Sequence, residues 1–272
     1  MIIKNILSLF SLFSLFFCIL FNYSVFAENK SNKLKTELKV EADESLEWFE
    51  KEKYYLAKGN VILTKDGLRL YASKVRANYK EENDENVLKM IIANGNVVLT
   101  KGKIKATGEF MRYNVKDKIA LISGKFQTFT SPSGYIESNK KLIFNDNTNK
   151  AEAIGKVKII LKNKTKIFAD RIKADFTGKA KSLHKAVARG NVIIQNYIDG
   201  KKSQADIGIY DSKREIIELK GNVKIINQGS VITGSQGINN IKTGISKITG
   251  NKKQRVKGTF SPKKKIKKGE IK

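Results

Sequence analysis

The feature that most constrains this chain is a glycine-centred block that returns seven times. Lys58-Gly59-Asn60-Val61-Ile62-Leu63-Thr64 is followed by Asn94-Gly95-Asn96-Val97-Val98-Leu99-Thr100. Gly190-Asn191-Val192 and Gly221-Asn222-Val223 keep the full form, while Gly124-Lys125-Phe126, Gly155-Lys156-Val157 and Gly250-Asn251 are degenerate copies. Successive glycines lie 29 to 36 residues apart. A second element follows the glycines and steps seven residues to an aromatic, as in Ala72-Ser73 to Tyr79 and Ala169-Asp170 to Phe176; Ala205 to Tyr210 is shorter, and Gly234 to Ile241 has Ile in place of the aromatic. A unit of this size cannot bury an apolar face alone, so neighbouring units have to stack.

The units read as strands. Val157-Lys158-Ile159 and Val223-Lys224-Ile225 alternate apolar and polar residues, the period of a half-buried strand. Gly-Asn pairs supply the positive φ of a tight bend or bulge. The only prolines, Pro132 and Pro262, leave the ladders nearly unbroken. Two and four residues after the glycines stand Val61 and Leu63, Val97 and Leu99, Val157 and Ile159. Leu70, Ile104 and Ile167 precede the second element with the same parity, and Arg69, Lys105, Lys158 and Lys166 point the other way. The expected fold is all-β: a twisted β-jelly roll or open β-roll of repeated antiparallel hairpin units of about thirty residues, aliphatic on one face and basic on the other.

The ends differ from the body. Lys4 precedes the uncharged run Ile6–Phe21, and Val25-Phe26-Ala27 precedes the charged Glu28. That pattern predicts a signal peptide over 1–27 cleaved after Ala27 and export to the periplasm, with an uncleaved membrane anchor as the alternative. Residues 28–40 read as a flexible segment, 41–250 as the β domain, and 251–272 as a disordered basic tail holding ten Lys/Arg and one acid, Glu270.

Composition removes most chemistry. The chain has 272 residues with one His and one Cys, which excludes His-pair metal sites, zinc clusters and disulfide frameworks. No catalytic constellation, metal site or cofactor motif is present in the sequence. Glu81-Glu82-Asn83-Asp84-Glu85 and Asn145-Asp146-Asn147 lack EF-hand spacing and read as solvated loops. Lys and Arg number 53 against 26 Asp and Glu, a net charge of +27. Such charge attracts nucleic acid, an anionic membrane surface or an anionic ligand. Export and the lack of any nucleic-acid-binding motif argue against the first.

Ala42-Asp43-Glu44-Ser45-Leu46-Glu47-Trp48, then Tyr55-Leu56-Ala57-Lys58-Gly59-Asn60-Val61, then Leu70-Tyr71-Ala72-Ser73 resemble the OstA-like (LptA) family of periplasmic lipopolysaccharide-export proteins. The resemblance covers roughly residues 40 to 250. It implies a β-jelly roll without enzymatic activity that carries lipopolysaccharide from the inner to the outer membrane. It also implies head-to-tail self-association and two partners, an inner-membrane LptC-like protein and the periplasmic domain of an outer-membrane LptD-like barrel. Parity and resemblance together place lipid against Val61, Leu63, Leu70, Val97, Leu99, Ile104, Val157, Ile159 and Ile167. Val231, Ile232 and Thr233 are expected to form an open oligomer edge. An LptC-like anchored partner of the same fold, and an exported repeat scaffold without lipid cargo, remain as alternatives.

Overall fold

The computed structural model describes residues 38–261, except 66, 83–84, 133, 162–163, 179–181, 197–199, 241, 244 and 254. The expected signal peptide, most of the 28–40 segment and residues 262–272 of the tail lie outside the described residues. Eighteen strands are present among those described. The first six are β1 (Lys39–Glu41), β2 (Ser45–Phe49), β3 (Tyr54–Lys65), β4 (Leu68–Glu82), β5 (Glu85–Lys101) and β6 (Ile104–Asn114). Four short ones follow: β7 (Ile119–Ser123), β8 (Gln127–Ser131), β9 (Gly134–Ser138) and β10 (Lys141–Asn145). Then come β11 (Lys150–Leu161), β12 (Thr165–Thr177), β13 (Ser182–Asn196), β14 (Lys202–Asp211), β15 (Ile216–Asn227) and β16 (Ser230–Asn240), with β17 (Ser246–Thr249) and β18 (Lys257–Thr259) last. Every pairing is antiparallel between sequence neighbours or across one hairpin, as the repeat predicts.

Each long strand serves two half-sheets. The register jumps in mid-strand, between Lys58 and Val61 in β3 and between Asn94 and Val97 in β5. The same jump recurs between Ile154 and Val157 in β11, Arg189 and Val192 in β13, and Lys220 and Val223 in β15. One half-sheet is closed by β2, β7, β10 and β17, the other by β1, β8, β9 and β18. Their apolar sides face each other: the main core cluster, from Ala57 to Tyr210, draws on both, and a smaller one of Ala205, Leu219, Val223 and Ile225 follows, with Ile194 and Ile217 packed against each.

The bend explains the sequence motif. At Gly59-Asn60, Gly95-Asn96, Gly155-Lys156, Gly190-Asn191 and Gly221-Asn222 both residues have positive φ. Each glycine lies beneath the bend of the preceding strand. A Cβ on Gly95 would meet Ser73 Oγ at 2.6 Å, and a Cβ on Gly190 or Gly221 would collide with the carboxylate of Asp170 or Asp206. The adjacent asparagine then uses that carboxylate: Asn191 Nδ2 donates to Asp170 Oδ2 and Asn222 Nδ2 to Asp206 Oδ2, each at 2.9 Å. Asn60 Nδ2 donates to Asp43 Oδ2 at 2.8 Å in the same way. Gly-Asn on one strand and Ala-Asp on the strand before it are two sides of one corner.

The weak copies behave differently from one another. Gly155-Lys156 makes a regular corner, whereas Gly124-Lys125-Phe126 interrupts the strand, so that β7 and β8 separate and Phe126 is exposed. Beyond that break Gln127 takes the buried place that valine holds elsewhere, and its Nε2 donates to both Ser138 O and Ser138 Oγ at 2.8 Å.

Three expectations about the ends need correction. Within the segment read as flexible, Lys39 and Val40 are already sheet, paired with Thr64 and Leu63. The segment read as a disordered tail contains β18. Lys257, Gly258 and Thr259 of β18 pair with Thr233, Ile232 and Val231, so the expected open edge is covered by the chain's own C-terminal segment. The reason is physical: β18 is held by backbone bonding while all its side chains stay exposed, so its hydropathy carries no strand signal.

The corner is testable. Gly221→Ala should destabilise the fold by about 1–3 kcal/mol, from backbone strain together with the collision with Asp206. In an Asp206→Ala background the collision is gone, and denaturant unfolding should give a smaller loss for the same substitution. An equal loss in both backgrounds would show that the carboxylate does not exclude the Cβ.

Candidate functional site

The interior between the half-sheets is a set of aliphatic rows running across the strands. In the half-sheet closed by β1 and β18, Val40 pairs with Leu63, Leu63 with Leu70, Leu70 with Leu99 and Leu99 with Ala106. The row continues through Phe129, Ile136, Ile159, Ile167 and Ile194. Val61, Leu63, Leu70, Val97, Leu99, Val157 and Ile159 are buried in the core, and Ile104 and Ile167 are partly buried against it. All nine residues marked in the sequence thus face the interior of this one half-sheet. The opposite half-sheet answers with a row in which Ala57, Ala93, Ala153 and Ala188 alternate with larger residues such as Val75, Met111 and Ile172.

Apolar openings interrupt this interior at three places. At the N-terminal end Leu38, Val40, Leu46, Trp48, Tyr55 and Leu63 line a mouth of about 280 Å³. Leu46 and Trp48 are 61% and 58% exposed there, and Trp48 Nε1 donates to Tyr79 OH at 2.7 Å. A cleft of about 80 Å³ opens further along, between Ile159, Ile167 and Ile194 on one side and Ile172, Tyr210 and Ile217 on the other. At the C-terminal end Ile225, Ile232, Ile248, Val256 and Phe260 line a space of about 500 Å³. Between the first mouth and the cleft the interior is filled by Phe129, Phe144, Met111 and Ile122, all fully buried.

The outward face is charged and largely solvated. On the rim beside the cleft, Arg214 N donates to Asp211 Oδ1 and Arg214 Nε to Asp211 Oδ2, both at 3.0 Å, while Nη2 reaches Glu218 Oε1 at 2.6 Å. Hydrogen bonds from the Arg214 backbone and guanidinium hold the Asp211 carboxyl below the usual range. The Arg214 guanidinium, with help from Lys220, does the same for Glu218. No group of three or more His, Cys, Asp or Glu able to hold a metal occurs among the described residues. The acidic stretch is engaged in pairs such as Lys53–Glu81 and Lys80–Glu82. Asn147 Nδ2 donates to the Asp117 backbone oxygen at 3.0 Å, so that asparagine ties two turns together. No helix among the described residues is long and apolar enough to cross a membrane.

The family model described as "LptA/(LptD N-terminal domain) LPS transport protein" matches the chain twice, over residues 39–140 and 135–245. The chain belongs to this family. The two matches to the LptA/LptD N-terminal family meet at the β8–β9 hairpin and β10, where the regular corners are interrupted. The resemblance of the Gly-Asn and Ala-Asp elements to OstA-like proteins is thereby confirmed, and the family is one of lipopolysaccharide transport proteins. Among solved structures, the chain is similar to LptH, the LptA homologous periplasmic component of the lipopolysaccharide transport device from Pseudomonas aeruginosa. The identity is 11% and the TM-score 0.22, with 83% of this chain and 96% of that chain covered. No curated protein matches the chain.

Sequence reasoning missed both ends of the interior and the cleft. Val40 continues the parity of Leu63, which could have flagged the N-terminal mouth. Tyr210 was legible as an aromatic step of the repeat, but the state of its hydroxyl depends on folded neighbours.

The rim pairs set a pH dependence. Because the folded values of Asp211 and Glu218 are depressed, their contribution is present above the ordinary carboxylate range and is lost as pH falls through the depressed values. Arg214→Met should lower the melting temperature at about pH 7, and the loss should shrink as pH falls through the depressed values of Asp211 and Glu218. Thermal melts of both proteins across pH check this, and an equal loss at both ends would discard the ion-pair account.

Proposed function

We propose that this chain is a periplasmic carrier that moves lipopolysaccharide from the inner to the outer membrane, with the acyl chains held between its half-sheets. The observation that carries this reading is the aliphatic interior, which runs across the strands in two adjoining clusters and has an opening at each end of the roll. An acyl chain in water costs about 0.8 kcal/mol per CH₂, so a twelve-carbon chain costs roughly 10 kcal/mol to expose. A carrier has to replace that water with apolar surface and leave the anionic head outside. Val61, Leu63, Leu70, Val97, Leu99, Ile104, Val157, Ile159 and Ile167 supply the surface, and the basic outer face favours the head. The packed residues Phe129 and Phe144 have to give way, or the half-sheets to part, as a chain passes.

Export follows from the signal peptide read in residues 1–27. Assembly follows from the ends. β1 and β2 at one end, and β17 and β18 at the other, have no further strand beside them among the described residues. Such edges pair with another chain. Head-to-tail pairing of copies, or pairing with an LptC-like protein and the periplasmic domain of an LptD-like barrel, would extend one apolar interior between the membranes.

Photo-crosslinking residues at Leu99 and Lys105 test the cargo. Leu99 faces the interior and Lys105 is exposed, so lipopolysaccharide should be captured at Leu99 and not at Lys105. Capture only at Lys105 would reverse the face assignment. Truncation after Gly250 removes β18 and bares Val231–Thr233, so sedimentation should show stronger concentration-dependent self-association than the full chain. A strict monomer for both proteins at all concentrations rules out head-to-tail assembly.

A further inference from the structure

We propose that Tyr210 is a lipid-binding residue whose hydroxyl donates a hydrogen bond to a carbonyl oxygen at the base of an acyl chain held in the mid-roll cleft. This rests on the carrier reading above and adds to it a polar anchor with a defined depth. The Tyr210 side chain is 7% exposed, and its hydroxyl oxygen is buried with no hydrogen-bond partner in the folded chain. A buried hydroxyl left unpaired is destabilising, and native proteins rarely leave one so without a use.

The position does not require a hydroxyl for packing. Tyr210 belongs to a cross-strand row in which Tyr113 pairs with Ala120, Ala120 with Phe144 and Phe144 with Ala151. The row runs on through Ala174 and Ala186 to Tyr210 and Ile217. Phe144 fills the same row without a polar atom and is fully buried. Another buried tyrosine has a partner: Tyr79 OH accepts from Trp48 Nε1 at 2.7 Å. Tyr210 therefore presents a donor where phenylalanine would pack as well.

The cleft fits a lipid group better than water. Its volume of about 80 Å³ lies between Ile159, Ile167, Ile194 and Ile217, with Thr165 the other hydroxyl on its wall. A buried water needs two to four polar partners, and this wall is nearly all aliphatic. Burial, with Glu215 and Asp211 adding to it, pushes the Tyr210 hydroxyl up to about 12, so it stays protonated and donates at physiological pH. An ester or amide carbonyl is an acceptor only. It also sits where a lipid changes from apolar chain to polar head, which matches the place of Tyr210 at the end of β14, one residue before Asp211 and the rim turn carrying Lys213 and Arg214.

The test is Tyr210→Phe in the full exported chain, with two readouts. Without lipid, the variant should melt at the same temperature as the parent or higher, because an unpaired buried group has been removed. With lipid, binding of lipopolysaccharide and of methyl dodecanoate should weaken about three- to tenfold, while binding of dodecane, which has no carbonyl, should not change. Lipopolysaccharide and the ester bound equally by parent and variant would overturn the role of Tyr210 and leave the carrier reading standing. A variant that melts lower without lipid would also overturn it, since the hydroxyl would then serve the fold. Failure of the parent itself to bind lipopolysaccharide would overturn both.

Discussion

The structure depends on one steric fact repeated along the chain: a glycine at positive φ lying under the bend of the preceding strand. At Gly190 and Gly221 an aspartate carboxylate occupies the space a Cβ would need, and the next asparagine hydrogen-bonds that same carboxylate. The corner turns each strand out of one half-sheet and into the other. Because each regular corner is seated on the bend of the segment before it, the bends keep the two half-sheets face to face. The interior is then a consequence of the corner. Residues two and four after the glycine of each regular corner have the parity that points inward, and those two before it do the same on the other half-sheet.

This is why so much of the fold was legible. The period-2 alternation on either side of a fixed glycine assigns a face without any three-dimensional information, and the nine residues chosen on that basis all lie on the inner side. What was not legible lacks that anchor. β1 and β18 have no glycine corner of their own to set parity and take their place from backbone pairing, with little or no buried side chain. The missing asparagine after Gly124 does not by itself split β7 from β8, since a lysine follows Gly155 too, and there the corner survives. The difference lies in what comes next, Phe126 and Gln127 in one case and Val157 in the other, and only the folded neighbours show that Gln127 is paired with Ser138.

The interior has to act both as a hydrophobic core and as a lipid-sized space, and the side-chain sizes show how both are met. Near the middle of the roll Phe129 and Phe144 close it. Further on, Ala151, Ala174 and Ala186 follow one another across three strands, and no large side chain fills that row until Tyr210. Alanine in strands is a poor β former with little surface to bury, so a run of three in one row sacrifices packing. The cleft beside Tyr210 is walled in part by the small residues Ala186, Ala188 and Gly208. The plugs lie on β8 and β10, where the regular corner is interrupted, and the cleft lies where the corners are regular and the residues small.

The ends follow the same logic with the opposite outcome. An inner strand such as β13 is held on both sides over most of its length, from Lys185 to Gln195 against β14 and from Ser182 to Asn196 against β12. β18 is held on one side by three residue pairs, with its side chains in solvent, and Phe260 beside it is 73% exposed. Since stacked repeats are stabilised mainly by nearest neighbours, such an end strand is released at far lower free-energy cost than any inner one. The edge it covers, Val231-Ile232-Thr233, carries no charge and no proline. Covered, it is blunted against indiscriminate pairing; uncovered, it continues the row that ends with Ile225 and Ile232. A strand offered by another chain with a longer ladder than three pairs would win that exchange, and the same arithmetic applies to β1 on Ile62-Leu63-Thr64 at the other end.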